Sequence, residues 1–315
     1  PEQAQPDGDF PTCPYPNPEI RQALQKGLEL CAEVHPDLLL ATDPDADRTG
    51  IAVPHKGEYV LLSGNEVGVL LSDWLATRAA ARGENVADKL VVTTIVSSSM
   101  LDALAHKHGF ELRRTLTGFK YIGEQIARLE ERGEQGRFLF GFEESYGYLS
   151  GTYVRDKDAV VASMLICEMA RDYKGRGMDL VDAVEALYDE LGYYRNRTIS
   201  LAYPGAEGAE QMRAIMAGLR TEHPAQLAGL AVEGVVDYAQ GATMPRIGGD
   251  AADEQTLPGA NVFEINLEGS NKVIIRPSGT EPKIKAYVFA RGTTDAEALA
   301  LVDELDAAAR KLLGA

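Results

Sequence analysis

Between residues 18 and 191 short apolar runs alternate with amphipathic stretches, and this alternation restricts the fold more than any single motif. Ile20, Leu24, Leu28, Cys31 and Ala32 recur at helical spacing within 18–34. Apolar runs at 38–41 and 49–53 flank an acidic loop at 43–48, which reads as strand, loop, strand. A helix over 65–82 carries Val67, Leu70, Leu71, Trp74 and Leu75, and Gly83 with the charged stretch to Lys89 marks a boundary. The β-branched run 90–96 predicts a buried strand, and 98–108 a helix capped by Ser97 and closed by Gly109. A short strand at 111–115, a loop at 117–123, a helix at 124–132 and a strand at 138–142 follow, then helices at 159–174 and 180–191. Such a pattern predicts a sheet with helices on its faces.

From residue 194 the pattern changes. Strands at 197–202, 231–238, 261–267, 272–276 and 283–291 gather beside helices at 208–222 and 294–313, which predicts an α+β unit reached through a hinge at 193–196. Three units of about 100 residues, 1–88, 89–193 and 194–315, suit the 315-residue chain better than two.

Charge removes several function classes. With 31 Lys+Arg against 48 Asp+Glu the net charge is −17, which argues against binding nucleic acid or an anionic membrane surface. The longest stretch free of charged residues, 90–101, is well short of the ~20 residues a membrane span requires. The first residues, PEQAQPDGDFPTCP, have neither a basic nor an apolar targeting region, and a start at Pro reads as a cut chain. Cys13, Cys31 and Cys167 are odd in number and form no CxxC pair, so free thiols in a reducing cytoplasm are expected.

Three motifs carry chemistry. In ATDPDADRTG, residues 41–50, Asp43, Asp45 and Asp47 alternate, so an extended backbone turns all three carboxylates to one side. Carboxylates that close repel unless a hard cation such as Mg²⁺ or Ca²⁺ lies between them. An EF-hand is excluded, because its glycine and glutamate positions hold Arg48 and Pro54. In RPSGTEPKIK, 276–285, Ser278, Gly279 and Thr280 offer a turn of backbone N–H groups and hydroxyls to an oxyanion. Arg276 adds a bidentate fork and Lys285 a point charge; no Walker loop occurs in the chain. In GFEESYGY, 141–148, Glu143 and Ser145 are paired acceptors and donors for vicinal hydroxyls, while Glu143 in place of a glycine rules out a nucleophile elbow. An acidic surface turn, a hairpin turn and an exposed loop are the plain structural readings of the same three segments. Ser97–Ser99 reads as a helix cap, and His106 and His108, two apart on a helix, make a poor metal pair.

In this order, with TGFK at 117–120 between the first and third, the motifs resemble the α-D-phosphohexomutase family of phosphoglucomutases and phosphomannomutases over essentially the whole chain. The resemblance implies two successive three-layer α/β/α domains, numbered II and III in that family, followed by a smaller α+β domain IV like the TATA-binding protein. It implies Mg²⁺ on Asp43, Asp45 and Asp47, with Arg48 supporting at the active cleft. It further implies sugar contacts from Glu143 and Ser145, basic substrate contacts from Lys120 and Lys157, and a phosphate loop of Arg276, Ser278, Gly279, Thr280 and Lys285. The family's Thr-Ala-Ser-His-Asn-Pro type phosphoserine loop has no counterpart; Thr221-Glu222-His223-Pro224 is a poor echo without the serine. The resemblance therefore implies the last three domains of a four-domain isomerase, inactive alone, acting on a hexose phosphate through a hexose bisphosphate. Phe119-Lys120 is closer to the glucose-phosphate branch, with mannose-, pentose- and glucosamine-phosphate mutases as alternatives, and a phosphosugar-binding module without catalysis as a further one.

Overall fold

The computed structural model describes residues 3–244, 247–248, 255–279 and 281–314. They form two compact units. One comprises 3–97, 101–187 and 247–248; the other comprises 98–100, 188–244 and the described residues from 255 to 314.

The first unit opens with α1 (Gln25–Val34), preceded by a 3-10 turn, Arg21–Leu24, where one continuous helix was expected. Strands β1 (Leu39–Thr42), β2 (Thr49–His55) and β3 (Glu58–Leu62) form an antiparallel meander, with Leu40 opposite Ile51 and Val53 opposite Val60. The third strand escapes a reading by apolar runs because Glu58 and Tyr59 open it. Helix α2 (Gly64–Ala81) begins with a capping box: Ser63 Oγ accepts from Glu66 N–H, and Glu66 Oε2 accepts from Ser63 N–H.

Four strands build the second sheet of this unit, in the order β5 (Glu111–Thr115), β4 (Leu90–Thr94), β6 (Phe138–Glu143), β7 (Gly147–Leu149). β4 runs parallel to β5 and β6, and β7 returns antiparallel on β6. Every residue of β4 and β6 is buried, as in a sheet covered on both faces. Helix α3 (Met100–His108) connects β4 to β5, and α4 (Phe119–Glu131) connects β5 to β6. Helix α4 starts five residues before the expected position, because Phe119, Ile122, Ile126 and Leu129 pack with Leu90, Val92 and Leu149. One face of β6 meets α4, with Gly141 against Ile122; the other meets α2, with Gly68 against Phe142. Helices α5 (Ala159–Gly175) and α6 (Leu180–Leu191) complete the expected α/β/α layering.

The second unit is α+β. Its strands are β8 (Tyr193–Ala202), β9 (Gln226–Leu227), β10 (Leu230–Asp237), β13 (Phe263–Leu267), β14 (Asn271–Pro277) and β15 (Lys283–Gly292). They lie in the order β8-β15-β14-β13-β10-β9 with every neighbour antiparallel. A separate ribbon pairs β11 (Ala242–Met244) with β12 (Gln255–Leu257). Met216 and Leu219 of α7 (Gly205–Thr221) and Val302, Leu305 and Ala309 of α8 (Asp295–Leu312) cover Ile199, Ile265, Val273, Ile284 and Val288. The expected hinge at 193–196 is instead the start of β8, paired to β15 residue by residue from Tyr193–Gly292 to Asn196–Phe289. Stacking of Tyr193 on Tyr188 and of Arg291 on Tyr194 holds that segment extended.

The α2–β6 contact is tight enough to test. A Cβ on Gly68 would lie 2.2 Å from Phe142 Cε2. Gly68→Ala is expected to destabilise the first unit by about 1–3 kcal/mol, typical of overpacking. The only tryptophan, Trp74, lies buried on the same helix with its Nε1–H on Asp172 Oδ2 at 2.9 Å. A lower urea midpoint of Trp74 fluorescence therefore reads the loss, and an unchanged midpoint contradicts it.

Candidate functional site

The acidic loop bridges β1 and β2 as a tight turn. Asp43 Oδ1 accepts from the backbone N–H groups of Asp47 (3.0 Å) and Arg48 (2.9 Å), while Ala46 N–H donates to Asp43 O in the left-handed region at φ 56°. These bonds wind the loop so that one carboxylate oxygen from each of Asp43, Asp45 and Asp47 falls within 4.8 Å of the others. Alternation along a straight strand was the expected reason for convergence; the observed one is this Asx-type turn. Burial pushes the Asp43 carboxyl up, the Arg48 N–H opposes the shift, and the Asp47 carboxylate adds to it.

Two cations stand against this charge. Lys157 Nζ is 2.8 Å from Asp47 Oδ2 and 2.8 Å from Asp156 Oδ1. Burial alone would lower the Lys157 ammonium, but hydrogen bonds and charge from Asp156 and Asp47 outweigh it and hold it above its usual range. Arg48 Nη1 pairs with Glu19 Oε1 at 2.8 Å, and its Nε lies 3.5 Å from Asp43 Oδ2 and 3.7 Å from Asp47 Oδ1. Both Asp47 Oδ1 and Arg48 Nε are buried without a hydrogen bond.

Three elements bring the remaining first-unit residues here. Thr49 N–H donates to Tyr146 O, and Arg48 bridges Gly147, so the turn of the β6–β7 hairpin sits against the acidic loop. Ala159 N–H donates to Ala46 O, which fixes the start of α5 beside the same loop. The Lys157 side chain crosses Gly147 so closely that a Cβ there would lie 2.2 Å from its Cδ, and its Nζ sits 5.6 Å from the centre of the Phe119 ring. Glu143 ends β6, and its Oε1 accepts from Gly118 N–H at 2.7 Å. Gly118 adopts φ 116°, which favours glycine, so the TGFK segment can present that N–H. Burial raises the Glu143 carboxyl, opposed by the Gly118 N–H and by the charges of Lys157 and Arg48. Ser145 is half-buried in the hairpin turn, and Lys120 is exposed in the first turn of α4 with Nζ over the Tyr121 ring at 4.9 Å. A cavity of about 450 Å³ borders Asp43 and Pro44.

The first unit thus gathers Asp43, Asp45, Asp47, Arg48, Glu143 and Lys157, with Ser145 and Lys120 on neighbouring segments. Glu19 and Asp156 join them without having been singled out in the sequence. Arg276, Ser278, Gly279 and Lys285 belong to the second unit, in the β14–β15 hairpin; Thr280 lies outside the described residues. Arg276 and Lys285 are directly opposite across the two strands, which places two cationic side chains beside the turn. Ser278 N–H donates to Lys283 O at 2.8 Å and Ser278 Oγ accepts from Glu281 N–H, which shapes the turn. His106 and His108 have structural partners, the Asp102 carbonyl and the buried Asp73 carboxylate.

The raised Glu143 carboxyl gives a signed expectation. A folded-state pKa above the usual value means that ionisation weakens the fold as pH rises through the carboxylate range. Glu143→Gln keeps an acceptor for Gly118 N–H and removes the charge. At pH 7 the variant is expected to melt a few degrees higher than the parent, and the gap should close below pH 4, where both side chains are neutral. A variant less stable at pH 7 contradicts the assignment.

Three family models match in chain order: phosphoglucomutase/phosphomannomutase alpha/beta/alpha domain II over 1–57, alpha/beta/alpha domain III over 63–191 and the C-terminal domain over 220–308. The domain III match takes in α2, whereas the sequence break at Gly83 is the reason to expect a boundary at 88. The chain is 36% identical over 287 residues to a phosphoglucomutase of Staphylococcus aureus strain bovine RF122, covering 91% of this chain and 50% of the relative. It is 35% identical to one of Staphylococcus epidermidis strain RP62A, with 91% and 51% covered. Among solved structures, Paramecium pp63/parafusin, a phosphoglucomutase in an open form, shares the fold at a TM-score of 0.66 and 19% identity, with 97% of this chain and 52% of that one covered. A phosphoglucomutase/phosphomannomutase family protein of Burkholderia thailandensis does so at 0.61 and 15%, with 97% and 53% covered. The chain spans about half the length of the curated relatives it matches. With three successive domain models matched in order and relatives above one-third identity, the chain belongs to the phosphoglucomutase/phosphomannomutase family.

Proposed function

We propose that this chain is the metal- and substrate-binding portion of a phosphohexomutase that interconverts hexose 1-phosphate and 6-phosphate through a phosphoserine and a hexose bisphosphate. The observation that carries the reading is the convergence of three carboxylates, one of them with a buried oxygen lacking any hydrogen bond, beside the Lys157 ammonium and the sugar-loop residue Glu143. An all-oxygen donor set within 4.8 Å fits a hard dication, so Asp43, Asp45 and Asp47 are assigned to Mg²⁺. Bound there, Mg²⁺ would polarise a phosphoryl oxygen and offset its charge.

The protein's own residues supply the rest. Lys157, kept protonated by Asp47 and Asp156, adds a fixed positive charge next to the acidic turn, and Arg48 adds a second. Glu143, with Oε1 tied to the Gly118 N–H, keeps Oε2 for a sugar hydroxyl, and Ser145 offers a neighbouring donor and acceptor. Lys120 contributes a mobile cation at the head of α4. Arg276 and Lys285, opposed across the hairpin, hold the distal phosphate together with Ser278, Gly279 and Thr280. The phosphoserine is assigned to the part of the relatives' length that this chain does not span. The three-way division into 1–88, 89–193 and 194–315 and a cytoplasmic location belong to the same proposal; among the described residues no helix is long and apolar enough to cross a membrane.

Calorimetric titration of the 315-residue chain with Mg²⁺ is expected to give one weak site, weakened at least tenfold in Asp45→Asn and unaffected by Arg276→Gln. Arg276→Gln should instead abolish the salt-sensitive binding of glucose 6-phosphate. Glucose 1-phosphate turnover by the purified chain, or Mg²⁺ affinity unchanged in Asp45→Asn, overturns the reading.

A further inference from the structure

A second cluster of metal-ligating side chains lies in the first unit, at the other end of β2 from the acidic turn. His55 is the last residue of β2, six extended steps or about 20 Å from Thr49. Asp179 and Asp182 open α6, 124 residues further along in the case of Asp179. The two carboxylates cap the helix reciprocally. Asp179 Oδ1 accepts from the N–H groups of Val181 (2.8 Å) and Asp182 (2.9 Å), and Asp182 Oδ2 accepts from Asp179 N–H (3.0 Å). One oxygen of each is therefore fixed to the backbone, and the other is held toward His55: Asp179 Oδ2 lies 2.9 Å from Nδ1 and Asp182 Oδ1 lies 3.8 Å from it. One ligand atom from each residue falls within 4.8 Å of the others.

These separations are close to those of a coordination shell. Ligand atoms bound about 2.05 Å from one dication are about 2.9 Å apart at right angles and about 3.3 Å apart at tetrahedral angles. An imidazole nitrogen with two carboxylates suits a first-row transition metal and disfavours Mg²⁺ or Ca²⁺. A cavity of about 480 Å³ adjoins the cluster through Asp179 and Pro54, the residue before His55, and is otherwise lined by Leu38, Cys167 and Met178 among others. From this juxtaposition we infer that His55, Asp179 and Asp182 form a second cation site, selective for a zinc-class dication and separate from the acidic turn.

The α6 dipole opposes a cation at this end of the helix, and the two carboxylates must offset that repulsion. The competing arrangement is His55 hydrogen-bonded to Asp179 with no metal. The two differ in what they bind, not in how the empty site looks.

The test uses the chelator-treated 315-residue chain carrying Asp45→Asn, which weakens cation binding at the acidic turn while leaving the Asp43 and Asp47 contacts in place. Titration with Co²⁺ is expected to develop the visible d–d absorption of nitrogen–oxygen coordination to one equivalent, and Zn²⁺ is expected to displace it. Adding His55→Ala should weaken this binding at least tenfold. His55→Gln serves where the alanine variant fails to fold, with Trp74 fluorescence reporting the fold. No one-equivalent Co²⁺ binding in the acidic-turn background, or binding that persists without His55, overturns the inference.

Discussion

The first unit is organised around a concentration of negative charge that the protein must offset before it can fold. Three carboxylates meet at the turn between β1 and β2, and Glu19, Glu143 and Asp156 stand next to them. The Lys157 ammonium, shared between Asp47 and Asp156, is the interaction on which the arrangement depends. It ties the acidic turn to the segment before α5, lies across Gly147 of the β6–β7 hairpin and faces the Phe119 ring at the head of α4. A single cation thus fixes four segments from distant parts of the chain. Burial works against its charge, and the two aspartates outweigh that effect and hold the ammonium above its usual range.

The balance is incomplete by itself. Asp47 Oδ1 and Arg48 Nε face each other at 3.7 Å, too far for a hydrogen bond, and both are buried. Burial raises the carboxyl groups of Asp43 and Glu143, so both ionised forms cost stability in the metal-free protein. On the proposed function, a dication beside the acidic turn and a hydroxylated substrate beside Glu143 would relieve that imbalance.

Much of this was legible in the sequence, and what was not has a physical reason. The acidic turn and the β14–β15 hairpin are local: Asp43–Asp47 and Arg276–Lys285 each sit within ten residues, so a single turn brings each set together. The salt bridge from Lys157 to Asp47 closes over 110 residues and leaves no periodic trace; only the family resemblance pointed to Lys157. Helix α4 was placed too late because TGFKYIG carries two glycines and reads as a loop. Tertiary burial of Phe119 and Ile122 overrides that local signal. The hinge expected at 193–196 failed for a similar reason, since pairing across the whole of β15 fixes a segment whose own composition is ambiguous. His55 was invisible for the opposite reason: nothing near it in sequence is acidic apart from Glu58, and its partners come from the cap of α6.

The −17 net charge also acquires a different meaning from its site-by-site distribution. In the first unit the acidic groups at the turn are met by Arg48 and Lys157, while in the second unit the cations Arg276 and Lys285 face each other across a hairpin. Each of these charge clusters lies at a motif the family resemblance singles out. A strongly acidic chain repels anions at long range, an effect that salt screens within about 10 Å. On the proposed function, recognition of a phosphorylated sugar rests on short-range groups in each unit: the Arg276–Lys285 pair for a phosphate in one, and the Glu143 carboxyl and the acidic turn for hydroxyls and a dication in the other. The overall charge sets what the protein avoids, and the local departures from it set what the protein can bind.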